Sequence, residues 1–238
     1  MKKRLLILTT ILIVLMSCNQ TVKEVNNGAT NTESIEINES IKQELKTINL
    51  DFDFAVTVGQ EEDFDKFKTY TFFQLTRNNT TIFIDSSLTE YEFGNDLFPI
   101  IIKTGDNSFE LLFEINDRPN KNYLKRLFIK DNELVRQDKL PTFEAKPIDI
   151  NQDGIKEYAG FWDYSQVWGD NNNLTAYNPI LYYSVTPKGL ILDSLLTRER
   201  NENIYSKFYG FSFSENDEQP ISVTEKFEQE LKRINGGK

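Results

Sequence analysis

Histidine is absent from this chain of 238 residues, and cysteine occurs once, at Cys18. The lack of histidine excludes Ser-His-Asp triads, Cys-His dyads and histidine-ligated zinc, together with the side chain that most often transfers protons near neutral pH. A single cysteine excludes a disulfide within the chain. Stability must therefore come from a hydrophobic core, from a bound metal ion, or from both.

Several catalytic motifs are missing as well. The sequence contains no glycine-rich phosphate loop and no G-x-S-x-G turn. Catalysis would then need a Ser-Lys pair or two carboxylates. We predict that the protein is not an enzyme. The alternative is a carboxylate-dependent, glycan-acting envelope enzyme, because two catalytic acids need not be neighbours in the sequence.

Positive charge is scarce, since 27 Lys and Arg residues stand against 37 Asp and Glu residues, for a net charge of −10. An acidic surface repels the phosphate backbone, so we expect no nucleic-acid partner. It suits a cationic protein or a divalent cation, although solubility alone explains such a surface equally well.

The amino terminus has the pattern of a secretory signal. Basic residues at 2–4 precede an apolar run at 5–16, which is short for a membrane span. The letters LMSC that end at Cys18 resemble the lipobox of bacterial lipoproteins. This resemblance implies a lipid, such as palmitate, on Cys18 and an anchor in the cell envelope. We expect the outer membrane, with the periplasmic or surface face left open.

The sequence divides into three parts by composition. Residues 1–17 are predicted to be the signal peptide. Residues 18–37 are polar and poor in large apolar side chains, which is typical of a flexible tether. Residues 38–238 are predicted to form a single β-rich domain, since no internal linker is evident.

Short β-rich runs separated by turn residues fill most of the region from 51 to 140, which indicates antiparallel meanders. We expect a mainly β fold that is propeller-like, a sandwich or a barrel. Helical spacing of apolar residues predicts one short helix within 38–50 and another within 222–234. Residues 178–214 are predicted to continue the strand-and-turn pattern, with the charged residues at 198–202 on a solvated edge.

One loop has the residue types of a cation site. Asp149, Asn151 and Asp153 stand at alternate positions, a glycine follows, and Glu157 occupies the ninth position. Oxygen ligands in this order converge on one point when the backbone turns sharply at the glycine, and a backbone carbonyl supplies a further oxygen. Calcium accepts such a ligand set because its geometry is flexible. The alternative is a polar hairpin in which Asp and Asn bond their own backbone.

The loop resembles the EF-hand-like calcium loops of FG-GAP or integrin-type propeller repeats. It lacks the bidentate Glu of a standard EF-hand, because the twelfth residue from Asp149 is Gly160. The resemblance implies calcium at residues 149–157, with the three side chains at 149, 151 and 153, the carbonyl of Ile155 and the carboxylate of Glu157 as ligands. A looser likeness over 145–192 is to propeller-like periplasmic lipoproteins that inhibit toxins.

Trp168 lies in an aromatic and Asn-rich segment that follows the calcium loop. Ordering of that segment by calcium would lower the entropy cost of binding a partner, so we single out Trp168 as a partner-binding residue. The partner is an unknown protein or glycan, and a cationic cell-wall hydrolase would complement the acidic surface. A purely structural component of an envelope assembly is a further alternative.

Overall fold

Alternating apolar and polar residues in the first half of the chain form one antiparallel sheet. The protein is represented by a computed structural model that describes residues 44–64, 67–85, 90–93, 96–117, 122–162, 167–168, 170, 174–213, 221–222 and 225–236. The strands of this first sheet are β1 (Lys46–Asn49), β2 (Phe54–Phe64), β3 (Phe67–Arg77), β4 (Thr80–Asp85), β5 (Glu90–Phe93), β6 (Ile100–Gly105), β7 (Ser108–Asn116), β8 (Tyr123–Lys130) and β9 (Glu133–Leu140).

The strand order of the first sheet is mostly sequential. Its main path runs β1-β2-β3-β5-β7-β8-β9, with β4 paired to β3 and β6 paired to β7. Two hairpin turns, Asn78–Asn79 and Asp131–Asn132, have positive φ at both residues, a conformation that Asn and Asp tolerate. The predicted mainly β class and its antiparallel meanders are confirmed.

Two smaller sheets and two helices make up the rest of the described chain. The second sheet contains β10 (Thr142–Phe143), β11 (Glu157–Phe161), β14 (Leu181–Thr186) and β15 (Gly189–Leu192). The third contains β12 (Val167–Trp168), β13 (Leu174–Thr175) and β16 (Ile221–Ser222). The helices are α1 (Ser194–Tyr205) and α2 (Glu225–Ile234). Neither helix is long and apolar enough to cross a bilayer, within the part of the chain that is described.

The predicted opening helix is wrong over Lys46–Asn49, which form β1. This strand pairs with β2 in a register that sets Ile48 opposite Val56. Ile48 and Leu50, two positions apart, both pack against the first core cluster, as expected of one face of a strand. Pairing with β2 therefore outweighs the local helical spacing.

The strand-and-turn prediction for residues 178–214 is wrong over α1. Asp193 is the amino-terminal cap, because its Oδ1 accepts a hydrogen bond of 2.9 Å from the backbone N of Leu196. The buried face of α1 carries two apolar and two polar side chains: Leu196, Thr197, Asn201 and Ile204. Because half of this face is polar, apolar periodicity alone does not reveal the helix.

The charged side chains at 198–202 differ in exposure: some face solvent and one is largely buried. Arg198 and Glu202 form an exposed pair one helical turn apart, with Nε and Oε1 separated by 2.9 Å. The Arg200 side chain is only 14% exposed, and its Nη2 donates a hydrogen bond to the carbonyl of Ile150 at 3.3 Å. The solvated-edge prediction is wrong for Arg200, because a helix turns that residue toward the core.

The predicted terminal helix is confirmed as α2. Its Phe227, Leu231 and Ile234 pack in one core cluster with residues of the second sheet and α1. Acidic residues lie in its first turn and basic residues in its last turn, which suits the helix dipole.

Apolar packing joins the first two sheets. One core cluster lines the first sheet, where the rings of Phe73 and Tyr91 are stacked with centroids 4.0 Å apart. A second cluster combines Leu112 and Leu124 of the first sheet with Leu181 of the second. A third lies between the second sheet and the helices. The loop at 149–157 is thus attached to a packed part of the molecule.

Candidate metal centre

The loop at 149–157 closes a hairpin. Ile148 and Glu157 exchange backbone hydrogen bonds of 3.1 and 2.8 Å, which bring its two ends together. Gly154 has a φ of +89°, a conformation that favours glycine. Ile150 is buried in the third core cluster, so the first half of the loop is held against the core.

Side-chain oxygens of the loop turn toward its own backbone. The two carboxylate oxygens of Asp149 accept hydrogen bonds from the N–H groups of Asp153 and Gly154, at 3.1 and 2.9 Å. Asn151 Oδ1 accepts from Asp153 at 3.1 Å, and Asp153 Oδ1 accepts from Ile155 at 2.8 Å. These are the contacts expected of a polar hairpin. Carboxylate oxygens have further lone pairs, so the same inward arrangement is compatible with a cation.

The predicted ligands lie in one loop but do not form a closed coordination shell. Asn151 Nδ2 donates a hydrogen bond of 2.9 Å to Asp153 Oδ2, so these two side chains contact each other. The side chain of Ile155 is 42% exposed. The role of its backbone carbonyl as a calcium ligand stays a prediction. Across the described ranges, no group of three or more Asp, Glu, His or Cys side chains is positioned to hold a metal ion.

Glu157 differs from the other predicted ligands, because its side chain is buried and only one of its two carboxylate oxygens accepts a hydrogen bond from a described residue. The residue is 1% exposed, and Oε2 accepts a hydrogen bond of 3.0 Å from the Ile150 N–H. Its Oε1 is buried, and no residue in the described ranges forms a hydrogen bond with it. A buried polar atom without a partner is costly, so this oxygen is a candidate position for a ligand atom or ion.

Electrostatics at Glu157 also favour a cation. Burial raises the pKa of its carboxyl above the ordinary value of 4.5, and the negative charges of Asp153, Asp149 and Asp193 raise it further. The hydrogen bond from Ile150 acts in the opposite direction. A divalent cation among these carboxylates would offset their mutual repulsion, so the chemistry of these donors suits a hard, oxygen-seeking ion, although their positions do not form a coordination shell.

Two residues near the loop were not predicted from the sequence. Asp193, which caps α1, adds its negative charge to the field at Glu157. Arg200 of α1 reaches the carbonyl of Ile150. The sequence signal for Asp193 is its position as the amino-terminal cap of a helix. That signal was missed because this region was predicted to form strands and turns.

The aromatic residues near the loop have different surroundings. Trp162 is partly buried against the first core cluster. Tyr177 is buried, and its hydroxyl donates to the carbonyl of Gly210 at 2.9 Å. Trp168 belongs to β12, where it pairs with Leu174, and its side chain lies outside what the structure describes. The signal peptide at 1–17, Cys18 and the tether at 18–37 also lie outside the described residues.

Comparison with known proteins gives no relative from which a role could be transferred. No protein-family model, curated protein or solved structure matches this chain.

Proposed function

We propose that this protein is a non-enzymatic, lipid-anchored protein of the bacterial cell envelope that binds calcium in the loop at 149–157. The buried, unpartnered Oε1 of Glu157 carries the metal proposal. Asp149 and Asp153 add negative charge around that carboxylate, and calcium is the common cation that accepts such a flexible set of oxygens.

The metal would serve the structure of the hairpin. Glu157 begins β11, and β11 pairs with β14 in the second sheet. A cation held between Glu157 and the aspartates would tie the exposed tip of the loop to this sheet. Asp149, Asn151 and Asp153 would orient the loop through the hydrogen bonds that they already make. The order of the following segment, which includes Trp168, would then depend on calcium.

The partner in this proposal is a protein or a glycan of the envelope. Its most specific form is inhibition of a cationic cell-wall hydrolase, because the net charge of −10 favours a positively charged partner. Packing between the first two sheets favours the sandwich-like form over the propeller-like one. Attachment to the outer membrane through Cys18 belongs to the same proposal.

Calcium titration followed by thermal melting tests the metal site. A ligand that binds only the folded state must raise its stability, so calcium should raise the melting temperature and EDTA should reverse the rise. Glu157→Gln should abolish the shift. Asp106→Asn removes one carboxylate from a different exposed turn and should leave the shift intact. The metal proposal fails if wild type shows no shift, or if Glu157→Gln shifts as wild type does.

Membrane fractionation and binding assays test the remaining parts. Cys18→Ala should move the protein from the membrane fraction to the soluble fraction. Recovery of a bound envelope hydrolase, with loss of that hydrolase's activity on addition of this protein, would support inhibition. Glycan cleavage by the purified protein would overturn the non-enzymatic assignment.

A further inference from the structure

A cavity of about 500 Å³ opens on the first sheet, away from the calcium loop. It lies between β4 on one side and β8 and β9 on the other. Its side walls include Phe83, Asp85, Tyr123, Lys125, Gln137 and Lys139. A volume of this size falls within the range of small-molecule sites in proteins.

Two lysines occupy directly opposite positions on neighbouring strands at this cavity. Lys125 of β8 and Lys139 of β9 are partners in the antiparallel register. Opposite residues of an antiparallel pair place their side chains on the same face, and like charges in such a pair are destabilising. The sheet thus contains an unfavourable positive pair at the wall of a cavity.

Among the described residues, one carboxylate, that of Asp85, forms an ion pair with this pair of lysines, and its partner is Lys125. Lys125 Nζ lies 2.5 Å from Asp85 Oδ2 and 2.7 Å from the hydroxyl oxygen of Tyr91. Lys139 Nζ lies 3.8 Å from the centroid of the Tyr123 ring and forms no ion pair with any described residue. Among the described side chains on this face of the sheet, Lys125 and Lys139 carry two positive charges and Asp85 carries one negative charge.

Asp138 also lines the cavity, but its carboxylate does not supply the missing negative charge. It neighbours Lys139 on β9, so its side chain points to the opposite face of the sheet. Its carboxylate lies beside Arg136 there, with Nη2 and Oδ2 separated by 3.6 Å. The charge of Arg126 also acts on this carboxylate. An excess positive charge in a protein of net charge −10 is a local feature of this cavity.

We infer that this cavity binds a small organic monocarboxylate, with the carboxylate at Lys139 and the organic body along Phe83. One negative charge on the ligand balances the one excess positive charge. Lys139 is exposed and has free donor capacity, Gln137 adds an exposed amide, and Phe83 is a partly buried aromatic wall. The site is separate from the calcium loop and does not depend on the proposed metal.

Binding is measured by NMR titration of the full chain, with the backbone amides of β9 as the local probe. The probes are phenylacetate and glucuronate, which place the carboxylate on an aromatic ring or on a sugar. Phenylacetamide and glucose are the uncharged counterparts. We expect a carboxylate to shift the amides of residues 137–139 saturably, with the uncharged counterpart inactive. The carboxylate that binds more tightly shows whether the cavity prefers an aromatic ring or a sugar beside the carboxylate group.

Lys139→Gln is the decisive variant, since it is exposed and keeps the size of the side chain. It should weaken carboxylate binding by about fivefold, as expected for a partly exposed ion pair. Lys103→Gln removes an exposed lysine of β6 outside the cavity and should leave binding unchanged. The inference is overturned if neither carboxylate shifts these amides, if the two variants bind equally, or if inorganic phosphate alone binds in a Lys139-dependent way. A response to calcium in the same sample has no bearing on these outcomes.

Discussion

Glu110 and Arg126 form an ion pair inside the protein, with the Arg126 Nη2 donating to Glu110 Oε2 at 2.8 Å. The same Oε2 accepts a hydrogen bond of 3.0 Å from the Leu190 N–H, and Arg126 Nη2 donates to the Leu190 carbonyl at 2.8 Å. Glu110 and Arg126 belong to the first sheet and Leu190 to the second. One buried pair of charges therefore connects the two sheets.

Arg126→Met should destabilise the protein by about 3–5 kcal/mol, because it leaves Glu110 buried without its counter-charge. The carbonyl of Leu190 would lose a donor in the same step. Urea denaturation followed by circular dichroism measures the change. Arg136→Met is the control, since the ion pair of Arg136 with Asp138 is exposed and should contribute within about 1 kcal/mol. Equal losses in the two variants would contradict the role assigned to the buried pair.

Gly189→Ala should destabilise the protein by about 3 kcal/mol or more, because the new Cβ would clash with Glu110 Oε1. The φ of Gly189 is +102°, so backbone strain adds to the clash. Gly210→Ala separates the two effects. Gly210 has a φ of +126° with nothing within 4 Å of the added Cβ, so strain alone should cost about 1–2 kcal/mol. Equal unfolding free energies for the two variants would contradict this prediction, because they would show that the Glu110 side chain moves away from the new Cβ without loss of stability.

Asn201→Ala should cost about 2–3 kcal/mol, because buried backbone groups of Ile180 lose their partners. Asn201 Oδ1 accepts from the Ile180 N–H at 3.0 Å, and Nδ2 donates to the Ile180 carbonyl at 2.7 Å. Asn203→Ala, at an exposed position of the same helix, should change stability by about 0.5 kcal/mol or less. If Asn201→Ala unfolds at the same urea concentration as wild type, α1 is not held by this contact.

Glu157 should make the calcium-free protein less stable as the pH rises above 4.5. Its folded-state pKa is raised above that value, so the folded protein binds this proton more tightly than the unfolded chain does. The stabilising contribution is complete below the unfolded pKa and is lost as the pH rises through the folded pKa. Urea unfolding in EDTA, at a series of pH values from about 4 to about 7, measures this loss.

Glu157→Gln provides the comparison for this pH dependence, because glutamine does not titrate and its oxygen can still accept from Ile150. In EDTA, its stability should fall less than that of wild type over the same pH range. With calcium present, the stability of wild type should fall less than that of Glu157→Gln as the pH rises, since a deprotonated Glu157 binds the cation. Parallel pH profiles in EDTA would mean that Glu157 does not titrate differently in the two states.

Strand positions were largely predictable because their signal is local. Alternating residues separated by turn residues predict antiparallel strands in the region from 51 to 140, which contains β2 to β9. The helix α2 was also predictable, since its packed apolar residues Phe227, Leu231 and Ile234 recur at helical spacing. The burial of Glu230 on the same helix was not predicted. In contrast, α1 was missed because its buried face is partly polar: Thr197 accepts from the backbone of Tyr182 in β14, and Asn201 from that of Ile180 just before β14. Hydrogen-bond partners distant in sequence cannot be read from periodicity.

The candidate loop shows the same division. The order of Asp149, Asn151, Asp153 and Glu157 predicts a set of oxygen ligands from the sequence, and the structure places these side chains in one loop. The sequence does not show that Glu157 is buried with one free oxygen, or that Asp193 adds to its field. Burial and long-range charge depend on α1 and the second sheet, whose positions follow from packing.

By itself, the sequence determined the residue chemistry, the β-rich character of the region from 51 to 140 and the polar residue types of one loop, because these follow from side-chain identity and short-range spacing. Tertiary structure alone decided that Lys125 lies opposite Lys139, that Arg126 meets Glu110 and that Arg200 reaches Ile150. The reason is physical: each of these relationships depends on the register of strands or on helix packing, which is set by burial of residues far apart in the chain.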